Sequence, residues 1–258
     1  MSSTLSQMVA RRAYFSASIE ELLSASTEEV LGSLTRDSEF SVEPTQRDAW
    51  IQQLAVLQEA LPGFKGRGRA YFEFVVPRLG KRIDVVLLID HVLFVVEFKV
   101  GEKNFTRSGL EQVWDYALDL KNFHETSHAV AVAPVLVATR ARGKLGAVAT
   151  TQHNDGVLCP ITVSPECLAL CIGQVLLFCT GDKIDPLEWE QGRYKPTPTI
   201  VEAAKHLRSS GRLAPRGGRG LDVATQALIE DEAEQALVVT VRALVGQMFT
   251  RRQNLRVL

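Results

Sequence analysis

The sequence lacks the features of membrane-spanning and secreted proteins. No apolar run reaches the roughly 18 uncharged residues that a transmembrane helix needs, and the longest, residues 167–181, contains Gln174. The N-terminal residues (MSSTLSQMVARRAYF) contain no apolar segment of the kind that secretory signals carry. These absences predict a soluble cytoplasmic protein without a membrane partner.

Cysteine and net charge are also scarce. Four cysteines among 258 residues do not make a disulfide framework, and their Leu-, Ile- and Val-rich surroundings favour buried free thiols; they are Cys159, Cys167, Cys171 and Cys179. The 29 basic and 30 acidic side chains leave a net charge of −1. That balance excludes a protein that coats polyanions through bulk charge, but it permits a local basic patch.

The apolar residues that are present follow patterns typical of an α/β protein. Residues 1–61 read as helical, because Ser18 and Ser26 are each followed three residues later by a glutamate, which is the capping-box spacing. A break rich in Pro and Gly then leads into β-type sequence. The predicted elements are a helix over 45–60, strands over 71–77, 82–89 and 92–100, a helix over 109–123 and a strand over 129–139.

This order of helix, three strands, helix and strand predicts an α/β architecture with a mixed sheet. We expect an N-terminal helical region over 1–61, a core over 62–204, and a basic linker with a helical tail over 205–258. The predicted buried stripe of the helix over 109–123 is Leu110, Val113, Trp114, Ala117 and Leu118.

Three ionisable residues stand where the predicted strands are otherwise apolar. Asp84 lies within RIDVVLLI, and Glu97 and Lys99 lie within VLFVVEFKV. Glu97 and Lys99 share one face of their strand, because side chains alternate, and a short turn makes the two strands neighbours. Buried charges cost several kcal/mol each (~3 or more) unless they are paired or hold a metal. Two convergent carboxylates suit Mg²⁺, which binds one or two protein carboxylates together with water and phosphate oxygens.

The spacing of these residues resembles the signature of the PD-(D/E)XK nuclease superfamily, an Asp on one strand and Glu-x-Lys on the next. The order of elements is similar to the restriction-endonuclease-like αβββαβ core of that superfamily. The following helix carries Gln112 and Tyr116, similar to the Gln-x-x-x-Tyr motif of its RecB-type branch. Residues four apart lie on one helix face, so both side chains are expected to face the same cleft.

Longer stretches resemble one bacterial subgroup. TQRDAW, YFEFVVPRLGKRIDVVLL and VVEFKVGEKNFTRSGLEQVWDYALDLKNFHETSH are similar to the N-terminal nuclease-like domain of Schlafen-like P-loop DNA/RNA helicase proteins, over roughly residues 10–205. Those proteins continue into an ATPase, whereas no Gly-x-x-x-x-Gly-Lys-Ser/Thr string is found here. The resemblance therefore implies a truncated or rearranged relative, with a helicase or ATPase as a partner in trans.

The resemblance also implies a mechanism, hydrolysis of DNA or RNA phosphodiester bonds with Mg²⁺ or Mn²⁺. Asp84, Glu97 and the main-chain carbonyl of Phe98 would hold the metal, and Lys99 would orient the attacking water. Gln112 and Tyr116 would position the substrate or the water. Glu73, one strand away, is a further candidate carboxylate, with a solvent-facing strand residue as the alternative.

A run of basic residues accompanies the predicted first two strands of the core. Between residues 65 and 82 six basic side chains stand against one acid, Glu73; they are Lys65, Arg67, Arg69, Arg78, Lys81 and Arg82. Phosphate contacts from such residues supply most of the sequence-independent affinity for nucleic acids. We expect this run to flank the site, although a solvated turn is the alternative interpretation.

Two other functions stay open. A nuclease fold can lose its catalytic activity and keep nucleic-acid binding. Residues 124–128 also spell HExxH, the string that binds zinc in metalloproteases through histidines four apart on a helix. Here His124, Glu125 and His128 fall at the end of a predicted helix without a clear third ligand, which favours a connecting segment over a zinc peptidase.

Overall fold

The computed structural model describes residues 12–38, 43–77, 80–152 and 155–198. The chain divides into two units, Met1–Pro196 and Thr197–Leu258, and every element given below belongs to the first. The predicted tail over 205–258 lies outside the described residues. Within the described ranges, none of the helices combines the length and the apolar character that a membrane crossing requires.

The described chain folds into a six-stranded mixed sheet with helices on both faces, which confirms the α/β class. Strands follow each other across the sheet in chain order, antiparallel from the first to the fourth and parallel from the fourth to the sixth. The strands are β1 (Ala13–Ser18), β2 (Gly68–Val76), β3 (Lys81–Ile89), β4 (Val92–Lys99), β5 (Ala131–Ala138) and β6 (Ile161–Val163). The helices are α1 (Ile19–Ser24), α2 (Thr27–Asp37), α3 (Pro44–Ala60), α4 (Arg107–Phe123), α5 (Leu168–Phe178) and α6 (Pro186–Glu190).

Local sequence signals fix the starts of the helices. The side chains of Ser18 and Ser26 each accept from the main-chain N–H of the glutamate three residues on. The carboxylate of that glutamate accepts in turn from the serine N–H, so both predicted capping boxes are confirmed. Thr106 caps α4 by accepting from the N–H of Gly109. These bonds satisfy main-chain donors that the first helical turn leaves without a partner.

Two apolar cores lie on opposite faces of the sheet. One face packs against α1, α2, α3 and α5, with Leu22, Leu34, Leu57 and Ile172 among its buried residues. The other face packs against α4 and includes Trp189 of α6. The strands in the middle of the sheet are therefore covered on both sides, which explains their nearly continuous runs of Val, Leu, Ile and Phe.

The structure corrects two details of the sequence prediction. Residues 13–18 form an edge strand rather than helix, pairing with β2 from Ala13 opposite Phe74 to Ser18 opposite Arg69. The buried face of α4 is also rotated from the predicted stripe. Val113 and Ala117 are fully buried as expected, but Tyr116 and Leu120 join them, while the predicted Leu110, Trp114 and Leu118 are only partly buried.

Candidate functional site

The candidate site lies where the sheet changes from antiparallel to parallel pairing, at the carboxyl end of β4. Val85 of β3 is paired with Val96 of β4, and Asp84 and Glu97 are the next residues beyond this pair on the two strands. The paired run of β3 and β4 ends at Val85. Beyond that point the two strands no longer form a ladder, and the acidic side chains occupy the position where they separate.

Alternation of side chains breaks on both β2 and β3 beside this position. Residues two apart in a regular strand share a face of the sheet. On β2, however, Phe72 and Phe74 pack in cores on opposite faces. On β3 the same is true of Val85 and Ile83. Between the members of these pairs lie Glu73, with a φ of 51°, and Asp84. Opposite positions pair along the rest of the β2–β3 ladder, but Glu73 and Asp84 do not. The break in the pleat is a bulge-like distortion that re-aims both carboxylates.

The Asp84 side chain takes over a main-chain role at this break. Its Oδ2 accepts from the N–H of Phe98 at 2.8 Å. A buried N–H without an acceptor is costly, so the carboxylate replaces the strand carbonyl that the ended ladder would have supplied. Asp84 is thereby fixed beside Phe98, where it is close enough to Glu97 to be influenced by its charge.

Glu97, Lys99 and Gln112 form one hydrogen-bonded cluster between β4 and α4. Lys99 Nζ donates to Glu97 Oε1 and to Gln112 Oε1, both at 2.9 Å. Gln112 Nε2 donates to Glu97 Oε1 at 2.8 Å and to Tyr116 Oη at 3.2 Å. The amide of Gln112 thus holds the ammonium and the carboxylate together, and four of the predicted residues meet in one network.

The start of α4 approaches the cluster closely because of Gly109. A Cβ added there would lie 3.2 Å from Lys99 Cε and 3.1 Å from Leu136 Cδ2. Glycine therefore leaves room for the Lys99 stem between the helix and the sheet. Gln112 and Tyr116 follow on the next turns of the same helix, so their reach towards Glu97 depends on this close approach.

The electrostatics of the site are those of carboxylates removed from water. Burial raises the pKa of Asp84 well above its usual range, and the neighbouring Glu97 charge raises it further. Burial also raises the pKa of Glu97, although the Lys99 ammonium and its hydrogen bond act in the opposite direction. Burial raises the pKa of Tyr116. A cation bound at this position would stabilise both carboxylates in their charged form.

One atom of the cluster bears on whether a metal fits. Glu97 Oε2 is buried and has no hydrogen-bond partner among the described residues. Buried carboxylate oxygens rarely lack partners unless a water or an ion completes them. The described residues contain no group of three or more His, Cys, Asp or Glu side chains suited to a metal. Asp84 and Glu97 are two carboxylates, which is a sufficient number of protein ligands for Mg²⁺.

Glu73 is placed differently from the other candidates. Its side chain is buried rather than solvent-facing, and both oxygens are engaged. Oε1 accepts from Trp50 Nε1 at 2.7 Å and from Gln46 Nε2 at 3.1 Å, and Oε2 accepts from Arg82 Nε at 2.7 Å. Glu73 therefore joins α3 to the sheet beside the site. Its negative charge still raises the pKa values of Asp84 and Glu97.

Sequence reasoning did not assign Gln46, Trp50 or Gly109 to this region, and it expected Arg82 only as one of the basic residues that flank the site. Gln46 and Trp50 are four residues apart, so they share one face of α3, and their spacing is the signal that could have paired them. Nothing local indicates that a carboxylate 23 residues beyond Trp50 is their common partner.

The predicted basic run is divided between the two ends of the sheet. Arg67 accepts, through its carbonyl, from the N–H of Asp90 in the β3–β4 turn, so residues 65–69 lie at the end of the sheet away from Glu97. Gly68 is five residues from Glu73 along β2, which corresponds to about 17 Å of strand. Lys65, Arg67 and Arg69 also face the acids Glu20, Asp90 and Glu21. The expectation that these three flank the site is therefore wrong. Lys81 and Arg82 lie at the site end, and Arg78 lies outside the described residues.

The HExxH string does not sit on one helix face. Helix α4 ends at Phe123, and residues 125–127 form a separate 3₁₀ turn. His124 is fully buried, stacks on Trp189 with ring centroids 4.7 Å apart, and shares a hydrogen bond of 2.8 Å with Ser127 Oγ. Burial lowers the pKa of His124 to about 3. These contacts are those of a packing cluster that fastens residues 186–195 to the end of α4.

All four cysteines are free, as predicted, and Cys171 is buried while Cys159, Cys167 and Cys179 are half-buried. Burial raises the pKa of Cys171 to about 12, so its thiol is un-ionised and inert near neutrality.

Comparison with protein-family models, with curated proteins and with solved structures finds no match to this chain. The fold and the site define the chain as a mixed α/β protein with an acid–base cluster at the point where its sheet changes direction.

Proposed function

We propose that this chain is a PD-(D/E)XK-type, metal-dependent nuclease that hydrolyses phosphodiester bonds of DNA or RNA, built on a restriction-endonuclease-like core. One observation carries the proposal. The buried Glu97 carboxylate has a lysine and a glutamine on one oxygen and no hydrogen-bond partner among the described residues on the other. A purely structural ion pair would gain from satisfying both oxygens, because an unsatisfied buried oxygen costs about 1–3 kcal/mol.

Asp84, Glu97 and the Phe98 carbonyl are the groups that would hold Mg²⁺ or Mn²⁺. When bound there, the metal polarises the scissile phosphate and lowers the pKa of water from about 15.7 towards neutrality. The N–H of Phe98 holds Asp84 in place through Oδ2, which leaves Oδ1 available for a ligand. Glu97 presents Oε2 in the same way, since Oε1 is occupied by Lys99 and Gln112.

The proposal gives a separate role to each of the other three residues of the cluster, Lys99, Gln112 and Tyr116. The ammonium of Lys99 is positioned by two acceptors and supplies positive charge where a phosphate would develop negative charge. Gln112 sets the position of that ammonium. Tyr116 accepts from Gln112, and its raised pKa keeps the phenol protonated, so its O–H remains available to donate to water or to a phosphate oxygen.

A plasmid-nicking assay with Mg²⁺ tests the proposal. We expect nicking by the wild-type chain and a loss of about 10²-fold or more in Lys99→Ala, since removing one preorganised donor commonly costs that much. Lys183→Ala is the matched control, because Lys183 is exposed and precedes a residue that bonds to the β3–β4 turn, at the far end of the sheet. Equal cleavage by the wild type and Lys99→Ala would indicate a contaminating nuclease and contradict the proposal.

A nucleic-acid-binding domain without hydrolytic activity is the second candidate. The observation that favours it is the engagement of both Glu73 oxygens by Trp50, Gln46 and Arg82, which leaves two carboxylates for a metal. Retarded migration of the intact plasmid, which reports binding, without nicking in either Mg²⁺ or Mn²⁺ would support this candidate over the nuclease.

A further inference from the structure

Two loops meet at the site end of the sheet, directly beyond the strand ends that carry Lys99 and Ala138. Residues 100–106 connect β4 to α4, and residues 139–146 follow β5. The N–H of Thr139 donates to the carbonyl of Lys99, and the N–H of Arg140 donates to the carbonyl of Glu102. Thr139 also accepts, through Oγ1, from the N–H of Gly101 at 2.8 Å. These bonds join the two loops into one surface next to the cluster.

The second loop is also fixed to the parallel strand beside it. The main chain of Lys144 makes two hydrogen bonds to Ser164: its N–H donates to the side-chain Oγ, and its carbonyl accepts from the Ser164 N–H. The N–H of Gly146 donates to the carbonyl of Thr162 at 2.7 Å. A backbone tied at several points holds the charged side chains in a defined arrangement, which reduces the entropy lost when a ligand binds.

The charge of this paired-loop surface, residues 100–106 and 139–146, differs from that of the whole chain. It contains four basic side chains and one acid, Glu102, whereas the chain as a whole has a net charge of −1. Arg142 forms an ion pair with Glu166, with 3.7 Å between Arg142 Nη1 and Glu166 Oε2. The other three, Lys103, Arg140 and Lys144, are exposed and have no ion-pair partner among the described residues.

We propose that the paired-loop surface binds the phosphate backbone of the nucleic acid and delivers it to the site, with Lys103, Arg140 and Lys144 as the contacts. This proposal rests on the proposed function and names the surface by which that site would receive its substrate. Its position agrees with the part of the general rule that applies to parallel strands, whose ligands bind outside the carboxyl ends of the strands, here those of β4 and β5. A polyanion with regularly spaced charges suits three exposed cations that make no ion pair within the described part of the chain.

Binding of labelled nucleic acid in EDTA, where cleavage cannot occur, tests the surface separately from catalysis. The probes are a fluorescein-labelled single-stranded DNA, the same DNA as a duplex, and the equivalent RNA, measured by anisotropy over a range of salt. The test variant is Lys103→Gln/Arg140→Gln/Lys144→Gln. The control variant, Lys65→Gln/Lys183→Gln/Lys195→Gln, changes the net charge equally at the opposite end of the sheet, where these residues adjoin the β3–β4 turn or the end of α4.

We expect the loop variant to bind at least about tenfold more weakly, with the slope of log K against log salt reduced by about 2–3. The control variant should bind like the wild type. Equal weakening in both variants, or no binding by the wild type to any probe, would overturn the proposal. Weakened binding in the loop variant together with an absence of metal-dependent nicking would support the surface and contradict the nuclease. Nicking that persists unchanged in the loop variant, with unchanged affinity, would contradict the surface alone.

Discussion

At the scale of single residues, the buried carboxylates of the candidate site affect the stability of the fold. Asp84 and Glu97 both have pKa values raised by burial, so the folded chain binds protons more readily than the unfolded chain near these groups. A carboxylate with a raised pKa stabilises the fold below its unfolded pKa and loses that contribution as the pH rises through its folded pKa. Near neutrality, and without a bound cation, the two carboxylates therefore reduce the free energy of unfolding.

This reasoning predicts that Asp84→Asn stabilises the metal-free chain. The Asn side-chain oxygen can still accept from the N–H of Phe98, while the charge is removed. We expect an increase of roughly 1 kcal/mol in the free energy of unfolding at neutral pH, which corresponds to a rise of about 2–4 °C in Tm for a chain of this size. Differential scanning fluorimetry with EDTA measures it.

The same variant should lose its response to metal. Mn²⁺ is expected to raise the Tm of the wild type, because a ligand that binds only the folded state stabilises it, and to raise that of Asp84→Asn much less. Lys183→Ala serves as the control and should keep the wild-type response. A Tm for Asp84→Asn below that of the wild type in EDTA would contradict the inference that the charge of Asp84 lowers the stability of the metal-free fold.

At the scale of elements, the candidate site depends on how closely α4 approaches the sheet. Gly109→Ala would improve the helix propensity of α4, yet its Cβ would lie 3.2 Å from Lys99 Cε and 3.1 Å from a Leu136 methyl. We expect the Lys99 side chain to shift and the nicking rate to fall by roughly tenfold or more, since small displacements of a positioned group have large effects on rate.

Gly32→Ala is the matched control for this change. Gly32 lies within α2, and a Cβ there meets no atom within 4 Å. We expect this control to gain about 0.5–1 kcal/mol of stability from helix propensity and to keep the wild-type nicking rate. Urea unfolding and the nicking assay together separate the two effects. An unchanged nicking rate in Gly109→Ala would show that the close approach does not position Lys99.

The elements also show what a sequence can and cannot predict. Strands β2 to β5 were predictable because they are nearly continuous apolar runs of eight or nine residues, and helices α3 and α4 because their apolar residues recur with the helix period. The six-residue edge strand β1 was missed, since AYFSAS has no clear alternation and directly precedes a helix cap. Its pairing with β2, more than 50 residues away, decides its structure.

The part of the candidate site that lies on neighbouring strands was also predictable. Asp84, Glu97 and Lys99 could be placed together because they lie on consecutive strands joined by a short turn. The role of Glu73 could not, because its partners Gln46 and Trp50 come from a helix that packs on the sheet only in the folded chain. The expectation that the whole basic run flanks the site was wrong for a geometric reason. Strand β2 separates the first residues of the run from the last, so the two groups lie at opposite ends of the sheet.

At the scale of the whole molecule, the packing cluster around His124 links stability to pH. His124 is buried against Trp189, with Phe74 and Tyr194 also in contact with its ring, and Ser127 is its hydrogen-bond partner. The positive charges of Arg12 and His128 oppose protonation, and Glu125 favours it. The folded chain therefore keeps the imidazole neutral, with a pKa of about 3 instead of 6.5.

The sign of the pH effect follows from that difference. Above pH 6.5 neither state binds the proton, and the cluster contributes in full; as the pH falls from 6.5 towards 3, the unfolded state takes up a proton that the folded state excludes. Stability is therefore lost across this window. Between pH 7 and pH 5 the loss from this residue is about 2 kcal/mol. Urea unfolding at a series of pH values measures the slope.

His124→Phe tests the origin of that slope, because it keeps a ring against Trp189 and cannot be protonated. We expect the variant to be less stable at neutral pH, since the bond to Ser127 is lost, but to lose about 2 kcal/mol less than the wild type between pH 7 and pH 5. His91→Gln is the comparison variant, because it removes a half-buried histidine at the β3–β4 turn, outside the His124 cluster. A wild-type slope in His124→Phe would show that the acid sensitivity arises elsewhere. Stabilisation of the wild type by Zn²⁺ that is absent from His124→Phe would instead favour the metal-binding interpretation of the HExxH string.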